Sequence, residues 1–430
     1  MSPLWILHVV LLGSLVSAGV ATVPTKNTFK YVNEGEFGDY VVEYFGTYRP
    51  LPPFESPFQL CFYNTTPGAF TLALRMGLVR SEVLLVWVWE ANRANPVGEN
   101  AFFELRKDGN LVLAEADGRI AWQTNTANKG VVGFDILPNG NMVLFDSKNN
   151  YLWQSFDSPT DTLLVDQYLK LSGPVKLVSR ASEKVNRNGP YSMILEPTRL
   201  AMYYQSYLYF SSIKWLNIAS PPLKQMTLGR NPRSNSSKSY EVSLDFKTAS
   251  SAVQRVVLSR PTLNPVFSYM RLRIDGNVEI RIYNRDADID VPNRLQTTFT
   301  LFGEGSMSDS ECQLPSKCGS FGLCSGNRCV SCPTTSGPWN ASCKPPTLKS
   351  CAPNSFYYKK LVGVDHFSAT YTFGEGPLTQ QACAAKCTSN CKCQGFFYHQ
   401  KDSRCWTVTD LKTLIQVKDN TRLAFFKVPK

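Results

Sequence analysis

The chain has 430 residues, 43% of them hydrophobic and 18% charged, which describes a folded protein of several domains and excludes a disordered one. Its formal net charge of +11 is spread without any run of five or more basic residues, so the concentrated stripe that nucleic-acid binding needs is excluded as well. Attraction to acidic polysaccharide stays physically open.

Residues 1–21 read as a secretory signal: 4–12 is an apolar run too short to span a bilayer, and Ser17, Ala18, Gly19 and Ala21 supply small residues after it. No later run reaches 18 apolar residues, and the terminal Phe425-Phe426-Lys427-Val428-Pro429-Lys430 is no lipid-anchor tail. The expectation is a secreted, soluble protein with no membrane span. Residues 22–60 carry Pro50, Pro52, Pro53 and Pro57, which predict irregular backbone around them. Strands are predicted at 58–63, 70–75 and 83–89. Cys61, in the first of these, stands far from every other cysteine, so it is either a buried thiol packing as a small hydrophobe or an intermolecular disulfide.

A repeat follows. Asp108-Gly109-Asn110-Leu111-Val112-Leu113 returns 31 residues later as Asn139-Gly140-Asn141-Met142-Val143-Leu144, and each copy leads to a tryptophan, Trp122 and Trp153. A turn pair that favours positive φ followed by apolar alternation is β-hairpin grammar. Trp89 in Val86-Trp87-Val88-Trp89-Glu90-Ala91-Asn92-Arg93 lies 33 residues before Trp122. Three indoles at near-equal spacing predict three sheets around one aromatic centre. Residues 157–162 form a polar turn closing this unit.

From 166 to 300 short strands continue, at 190–195, 201–204, 240–244, 253–258 and 268–280, the last containing Asp275-Gly276-Asn277. This predicts a second, degenerate copy of the same unit, with 228–238 as a basic polar loop. Tyr203, Tyr204, Tyr207 and Tyr209 fit alternating sheet positions. Twelve of the 13 cysteines then fall between Cys312 and Cys405. Cys312, Cys318, Cys324, Cys329, Cys332 and Cys343 make one set of six, and Cys351, Cys383, Cys387, Cys391, Cys393 and Cys405 a second. So dense a cluster indicates a disulfide framework formed in an oxidising compartment, with the pairing open. A zinc site on Cys329 and Cys332 is the poorer reading, because no second suitably spaced pair and no histidines accompany it. Cys383 and Cys387 stand at i and i+4 on one face of a predicted helix over 379–387, with strands at 393–399 and 404–406. Sequons at Asn64, Asn235 and Asn340 agree with secretion, provided each lies on an exposed loop.

Together, Val-Trp-Val-Trp-Glu-Ala-Asn-Arg from Val86, Lys107-Asp108-Gly109-Asn110-Leu111-Val112-Leu113, and Leu152-Trp153-Gln154-Ser155-Phe156-Asp157-Ser158-Pro159-Thr160-Asp161 resemble the bulb-type, snowdrop-agglutinin-like lectin domain of plant S-locus glycoproteins. The resemblance covers about 40–165 and implies a three-sided β-prism. Cys318-Gly319-Ser320-Phe321-Gly322-Leu323-Cys324 resembles the EGF-like module of the same proteins, and the last six cysteines resemble a PAN/apple module. The expected order is a signal peptide at 1–21, a bulb-lectin domain at 40–165, a second lectin-like β-domain at 166–300, an EGF-like module at 312–343 and a PAN/apple α+β module at 351–428. The whole is similar to the secreted bulb-lectin/PAN glycoproteins of carrot-epidermis type. For that family the resemblance implies residence in the cell wall or apoplast, binding of high-mannose glycans or glycoproteins, and roles in defence or cell-to-cell signalling.

The family's mannose pocket has the pattern Q-x-D-x-N-x-V-x-Y. Here the first copy offers Arg106, Asp108, Asn110 and Val112, with Ala114 where tyrosine belongs. The second offers Leu137, Asn139, Asn141, Val143 and Phe145; the third offers Arg273, Asp275, Asn277, Glu279 and Arg281. Removing hydrogen-bond partners from such a site weakens it, so only the first copy stands as a candidate carbohydrate site. Asp-Gly-Asn is equally a good hairpin turn. No G-x-S-x-G, H-E-x-x-H or phosphate-binding glycine loop occurs, and His366 and His399 fit structural roles, so no enzyme, cofactor or metal is expected. The expected partners are mannose-type glycans or glycoproteins and cell-wall components, with self-association into a homo-oligomer open. The alternative is a recognition or adhesion protein whose lectin fold has lost its sugar and binds protein partners.

Overall fold

In the computed structural model the residues described are 22–430, apart from residue 41 and the segments 78–84, 217–221, 233–239, 262–266, 284–294, 306–307 and 335–336. The signal segment 1–21 and the sequon at Asn235 lie outside the described residues.

The hairpins of the repeat assemble into a prism of three antiparallel sheets. One sheet orders Phe29–Val32, Phe102–Leu105, Leu111–Ala114 and Ile120–Gln123; a second orders Thr47–Glu55, Phe58–Asn64, Phe70–Met76 and Val86–Glu90; the third holds Tyr151–Gln154, Met142–Phe145 and Gly133–Ile136. Alternation turns Phe103, Leu105, Leu111 and Leu113 inward, where they are at most 2% exposed. At the centre the three indoles meet as the spacing predicted. Trp89–Trp122 and Trp122–Trp153 are 5.7 Å apart and Trp89–Trp153 6.2 Å, all edge-to-face. One ring from each sheet therefore closes a threefold aromatic plug.

The prolines behave differently from expectation. Thr47–Glu55 is a strand despite Pro50, Pro52 and Pro53, because it lies at a sheet edge, where a residue without an N–H can sit with that side facing away from the ladder. Its register slips between Pro50 and Phe54, which releases the pair Pro52-Pro53 from pairing altogether. The sheets also divide the chain elsewhere than at 40 and 165. Phe29–Val32 pairs with Phe102–Leu105 of the first prism, and Thr162–Leu164 pairs with Ser268–Leu272 of the second. Strand partnership, rather than the extent of the motifs, sets these limits.

The second prism has three four-stranded sheets, begun in turn by Thr162–Leu164, Tyr168–Lys170 and Lys176–Arg180. Its core gathers Met193, Met202, Phe210, Met226, Leu228, Phe246, Met270 and Ile280. Part of the loop expected at 228–238 is strand: from Gln225 to Pro232 the strand Leu223–Pro232 pairs without a break with Tyr240–Thr248, as Met226 and Leu228 continue an inward apolar alternation.

The cysteines pair within each set of six, as Cys312–Cys324, Cys318–Cys329 and Cys332–Cys343, then Cys351–Cys391, Cys383–Cys405 and Cys387–Cys393. Helix Gln380–Ser389 is capped by Thr379, whose hydroxyl accepts the Ala382 N–H at 3.1 Å, and its buried Cys383 and Cys387 tie one face to the strand Arg404–Val408 and to the loop before Gly395–His399. The two modules share a sheet: Lys412–Gln416 runs parallel to Phe321–Ser325, and Phe321, Leu414 and Phe426 pack in one cluster. Cys61 is a free, fully buried thiol among Tyr48, Tyr63, Ala73 and Trp87, and burial pushes it up to about 12.

Candidate functional site

Each Asp/Asn-Gly-Asn turn is built the same way. Gly109, Gly140 and Gly276 have φ of +87°, +85° and +85°, and a Cβ on Gly109 would approach Val131 to 2.8 Å. Glycine is needed there both for its backbone and for the packing. The carboxylate or amide before it accepts the N–H two residues on: Asp108 from Asn110 at 2.9 Å, Asn139 from Asn141 at 3.2 Å, Asp275 from Asn277 at 2.9 Å. The following asparagine clamps the returning strand. Asn110 donates to Gln123 Oε1 at 2.8 Å and accepts the Thr126 N–H at 3.1 Å. Asn141 donates to Gln154 Oε1 at 2.9 Å and accepts the Phe156 N–H at 3.2 Å. Asn277 donates to the Phe302 carbonyl at 2.8 Å and accepts its N–H at 3.0 Å.

The first copy brings Arg106, Asp108, Asn110 and Val112 together on one hairpin. Their availability differs. Asn110 is 6% exposed with its amide engaged on both sides, whereas Asp108 is half-buried at the rim. Arg106 donates from Nε to Glu104 at 3.1 Å, and the two side chains are 35% and 28% exposed. Val112 and Ala114 are wholly buried, packed with Phe102 and Val32. Phe102 is the cross-strand partner of Ala114, so the small side chain leaves space for its ring, with Lys30 Nζ 3.8 Å from the ring centre. Floor and rim thus differ from the mannose pattern at the positions where the sequence departs. In the third copy Arg273 pairs with Asp275 at 3.3 Å and Glu279 at 3.2 Å, at the border with the first cysteine-rich module.

Residues 85–182 match the family model described as D-mannose binding lectin. The epidermis-specific secreted glycoprotein EP1 of Daucus carota is 52% identical over 364 residues, spanning 79% of this chain and 92% of the relative. EP1-like glycoprotein 3 of Arabidopsis thaliana is 45% identical over 95% of this chain and 93% of its own length. The chain belongs to the EP1 family of secreted glycoproteins. The S-locus-specific glycoprotein S6 of Brassica oleracea is a more distant relative, 27% identical over 79% of this chain and 78% of its own.

In this EP1-family chain a buried network of ion pairs lies between the prisms, partly on residues of the family motifs, none of which carries an expected site role. Arg93 pairs with Glu90, donates to Asp161 Oδ2 at 2.8 Å and reaches the Val178 carbonyl at 3.0 Å. Arg180 donates to the Tyr63 hydroxyl at 2.6 Å and lies 3.4 Å from Glu90. Arg271 bonds Thr162 at 3.1 Å and pairs with Glu43. Burial pushes the Asp161 carboxyl up, but Arg93 and Arg271 outweigh it and hold the group below the usual carboxylate range. For Glu43 burial wins, and its carboxyl is raised despite Arg271. The network joins Glu43, Tyr63, Glu90 and Arg93 of the first prism to Asp161, Thr162, Val178, Arg180 and Arg271 of the second. The available signal was charge inside strongly apolar motifs, Glu90-Ala91-Asn92-Arg93 and Asp161, although the sequence alone gives no pairing.

Two sequons can be placed. Asn64 ends a strand at 9% exposure, and its Oδ1 accepts the Thr47 hydroxyl at 2.7 Å, which contradicts the exposed loop expected of it. Asn340 is exposed, with its Oδ1 accepting the Ser342 N–H at 2.9 Å. His366 is fully buried and burial pushes it down to about 3; it bonds Ser368 at 2.7 Å and faces the Asp410 carbonyl at 3.2 Å. His399 lies 2.8 Å from Asp402 and 3.3 Å from Asp419.

Proposed function

We propose that this protein is a non-enzymatic recognition glycoprotein of the plant cell wall or apoplast, acting in defence or cell-to-cell signalling by binding glycans or glycoproteins. The observation that carries the reading is the polar rim on the first prism, where Arg106 and Asp108 stand at the positions of a sugar-binding turn. Arg106 keeps outward-facing donors beyond its bond to Glu104, and the Asp108 carboxylate keeps an oxygen beyond the one that holds the turn. Such groups suit hydroxyls of a high-mannose glycan at the edge of a sheet.

A second reading rests on a specific observation. With Val112 and Ala114 wholly buried beneath Phe102, no apolar floor is open to a sugar ring, which favours protein partners met by a lectin fold without its sugar. A glycan array containing high-mannose structures separates the two. The purified secreted protein is compared with an Arg106→Ala/Asp108→Ala variant of equal thermal midpoint. Binding lost in the variant supports glycan recognition at the rim; no binding by the unaltered protein leaves the protein-partner reading.

A further inference from the structure

Of the six sheets in the two prisms, five have four strands, and one, in the first prism, has three among the described residues. Its order is Tyr151–Gln154, Met142–Phe145, Gly133–Ile136, so Gly133–Ile136 is an edge at the place where the other two sheets of that prism carry Phe29–Val32 and Thr47–Glu55. Beside this edge runs a groove of about 420 Å³. Phe29 and Tyr31 line it from one neighbouring sheet, Pro52, Pro53 and Phe54 from the other, and Phe54 is 51% exposed.

The edge has hydrogen-bonding groups to offer. Asp135 pairs with Val143 and the Leu137 N–H donates to the Asn141 carbonyl at 2.8 Å, so the odd-numbered residues bond inward and Phe134 and Ile136 turn their N–H and C=O groups to the groove. The Ile136 N–H is taken by its neighbour Asp135 at 2.8 Å, and the Val132 carbonyl by Asn27 Nδ2 at 2.8 Å. Among the described residues the Phe134 N–H and C=O and the Ile136 C=O face the groove without a protein partner. Thr47–Glu55 lies close by yet forms no ladder with this edge, since Pro52 and Pro53 have no N–H to give. Proteins commonly blunt such edges, and this one keeps an aromatic trough along it.

We propose that the groove is a docking site for one extended segment of a partner protein, which adds as a fourth strand on Gly133–Ile136. Walls raised by two neighbouring sheets admit a single extended chain at the ~4.8 Å strand spacing rather than the edge of another folded sheet. The side-chain pattern follows from the face alternation. Phe134 and Ile136 point toward the prism core beside Phe29, so the incoming residues on that face are apolar. Asp135 points outward, is exposed, and is the one charged side chain lining the groove, so the residues opposite it are basic. The partner segment alternates apolar and basic side chains. This site shares no residue with the rim around Asp108, and the two readings stand or fall separately.

The test uses a displayed library of random decapeptides against the whole secreted protein. Selected peptides should alternate apolar with Lys or Arg, and N-methylation of alternate amides in a selected peptide should weaken binding at least tenfold by fluorescence anisotropy in one methylation phase only. Asp135→Lys, at an exposed position that leaves the fold intact, should switch selection to acidic peptides. Phe134→Pro, which removes the outward N–H, should abolish binding if that variant retains the wild-type thermal midpoint; if it does not, the Asp135→Lys switch decides alone. Failure to select an alternating pattern, equal binding of both methylation phases, or no change in Asp135→Lys would overturn the proposal. So would a glycan-array signal lost in Phe54→Ala without any peptide binding, which assigns the groove to sugar. A concentration-dependent dimer lost in Asp135→Lys would overturn it in favour of a second copy.

Discussion

Replacing Arg93 by methionine tests whether the buried network holds the prisms together. The side chain is 7% exposed and serves Glu90, Asp161 and the Val178 carbonyl. Methionine fills similar volume but returns none of these bonds. Glu90 keeps Arg180, at 3.4 Å, and Tyr63. Asp161 keeps the Thr162 hydroxyl at 2.8 Å and the field of Arg271, so most of the uncompensated charge falls on Asp161. Removing one partner of a buried ion pair costs about 3–5 kcal/mol. In urea that corresponds to a midpoint lower by about 1 M or more. Tryptophan fluorescence suits the assay because three of the eight indoles form the first prism's plug.

The pH dependence gives the decisive sign. In the unaltered protein the Asp161 pKa is depressed, so its stabilisation is present above the unfolded carboxylate pKa of about 4 and is lost as pH falls through the lower folded value. Without Arg93, burial dominates and the folded pKa rises above the unfolded one. The variant then regains stability as pH falls and Asp161 takes a proton. The gap between the two proteins should therefore narrow from pH 7 to pH 4. A gap under about 1 kcal/mol at pH 7, or one that stays constant over that range, would refute the assignment.

Asn110→Ala should cost roughly 2–4 kcal/mol in the same assay, because it removes the clamp to Gln123 and strands the buried Thr126 N–H; a loss below 1 kcal/mol would show that the turn does not depend on it. Cys61, raised to about 12 by burial, should resist iodoacetamide in the native protein at pH 8 and react fully in denaturant, as peptide mass spectrometry reports. Asn340→Gln should remove one glycan's mass from the secreted protein, whereas Asn64→Gln should leave the mass of attached glycan unchanged, read by intact mass before and after deglycosylation.

The prism was legible because its determinants are local and repeated. Turn glycines at fixed offsets and indoles 31–33 residues apart declare three equivalent hairpins without knowledge of any long-range contact. The strand at Thr47–Glu55 was not legible, since proline propensity argues against it and only an edge position, a tertiary fact, permits it. The limits of the two prisms were hidden for a related reason. Thr162–Leu164 follows the first repeat directly, and its role is set by a partner about a hundred residues later, Ser268–Leu272. At the rim, sequence showed which side chains depart from the mannose pattern. It could not show that Phe102 packs with Ala114, because cross-strand neighbours are not sequence neighbours.

The motifs that reveal the family do so for architectural reasons. Trp89 donates its indole N–H to the Ser158 carbonyl at 3.0 Å, and Arg93, four residues on, reaches Asp161. The tryptophan-rich strand and the Ser-Pro-Thr-Asp turn are thus two halves of one contact, which locks the first prism's end onto the second prism's beginning. A chain that conserves this contact needs both halves, whatever its outer faces bind. The rim proposed for glycans sits elsewhere, on Arg106 and Asp108, and can change without loosening the joint. The match over 85–182 spans the joint as well as the turns, so it reports the architecture, and what the proposed rim and edge would bind has to be read from their own side chains.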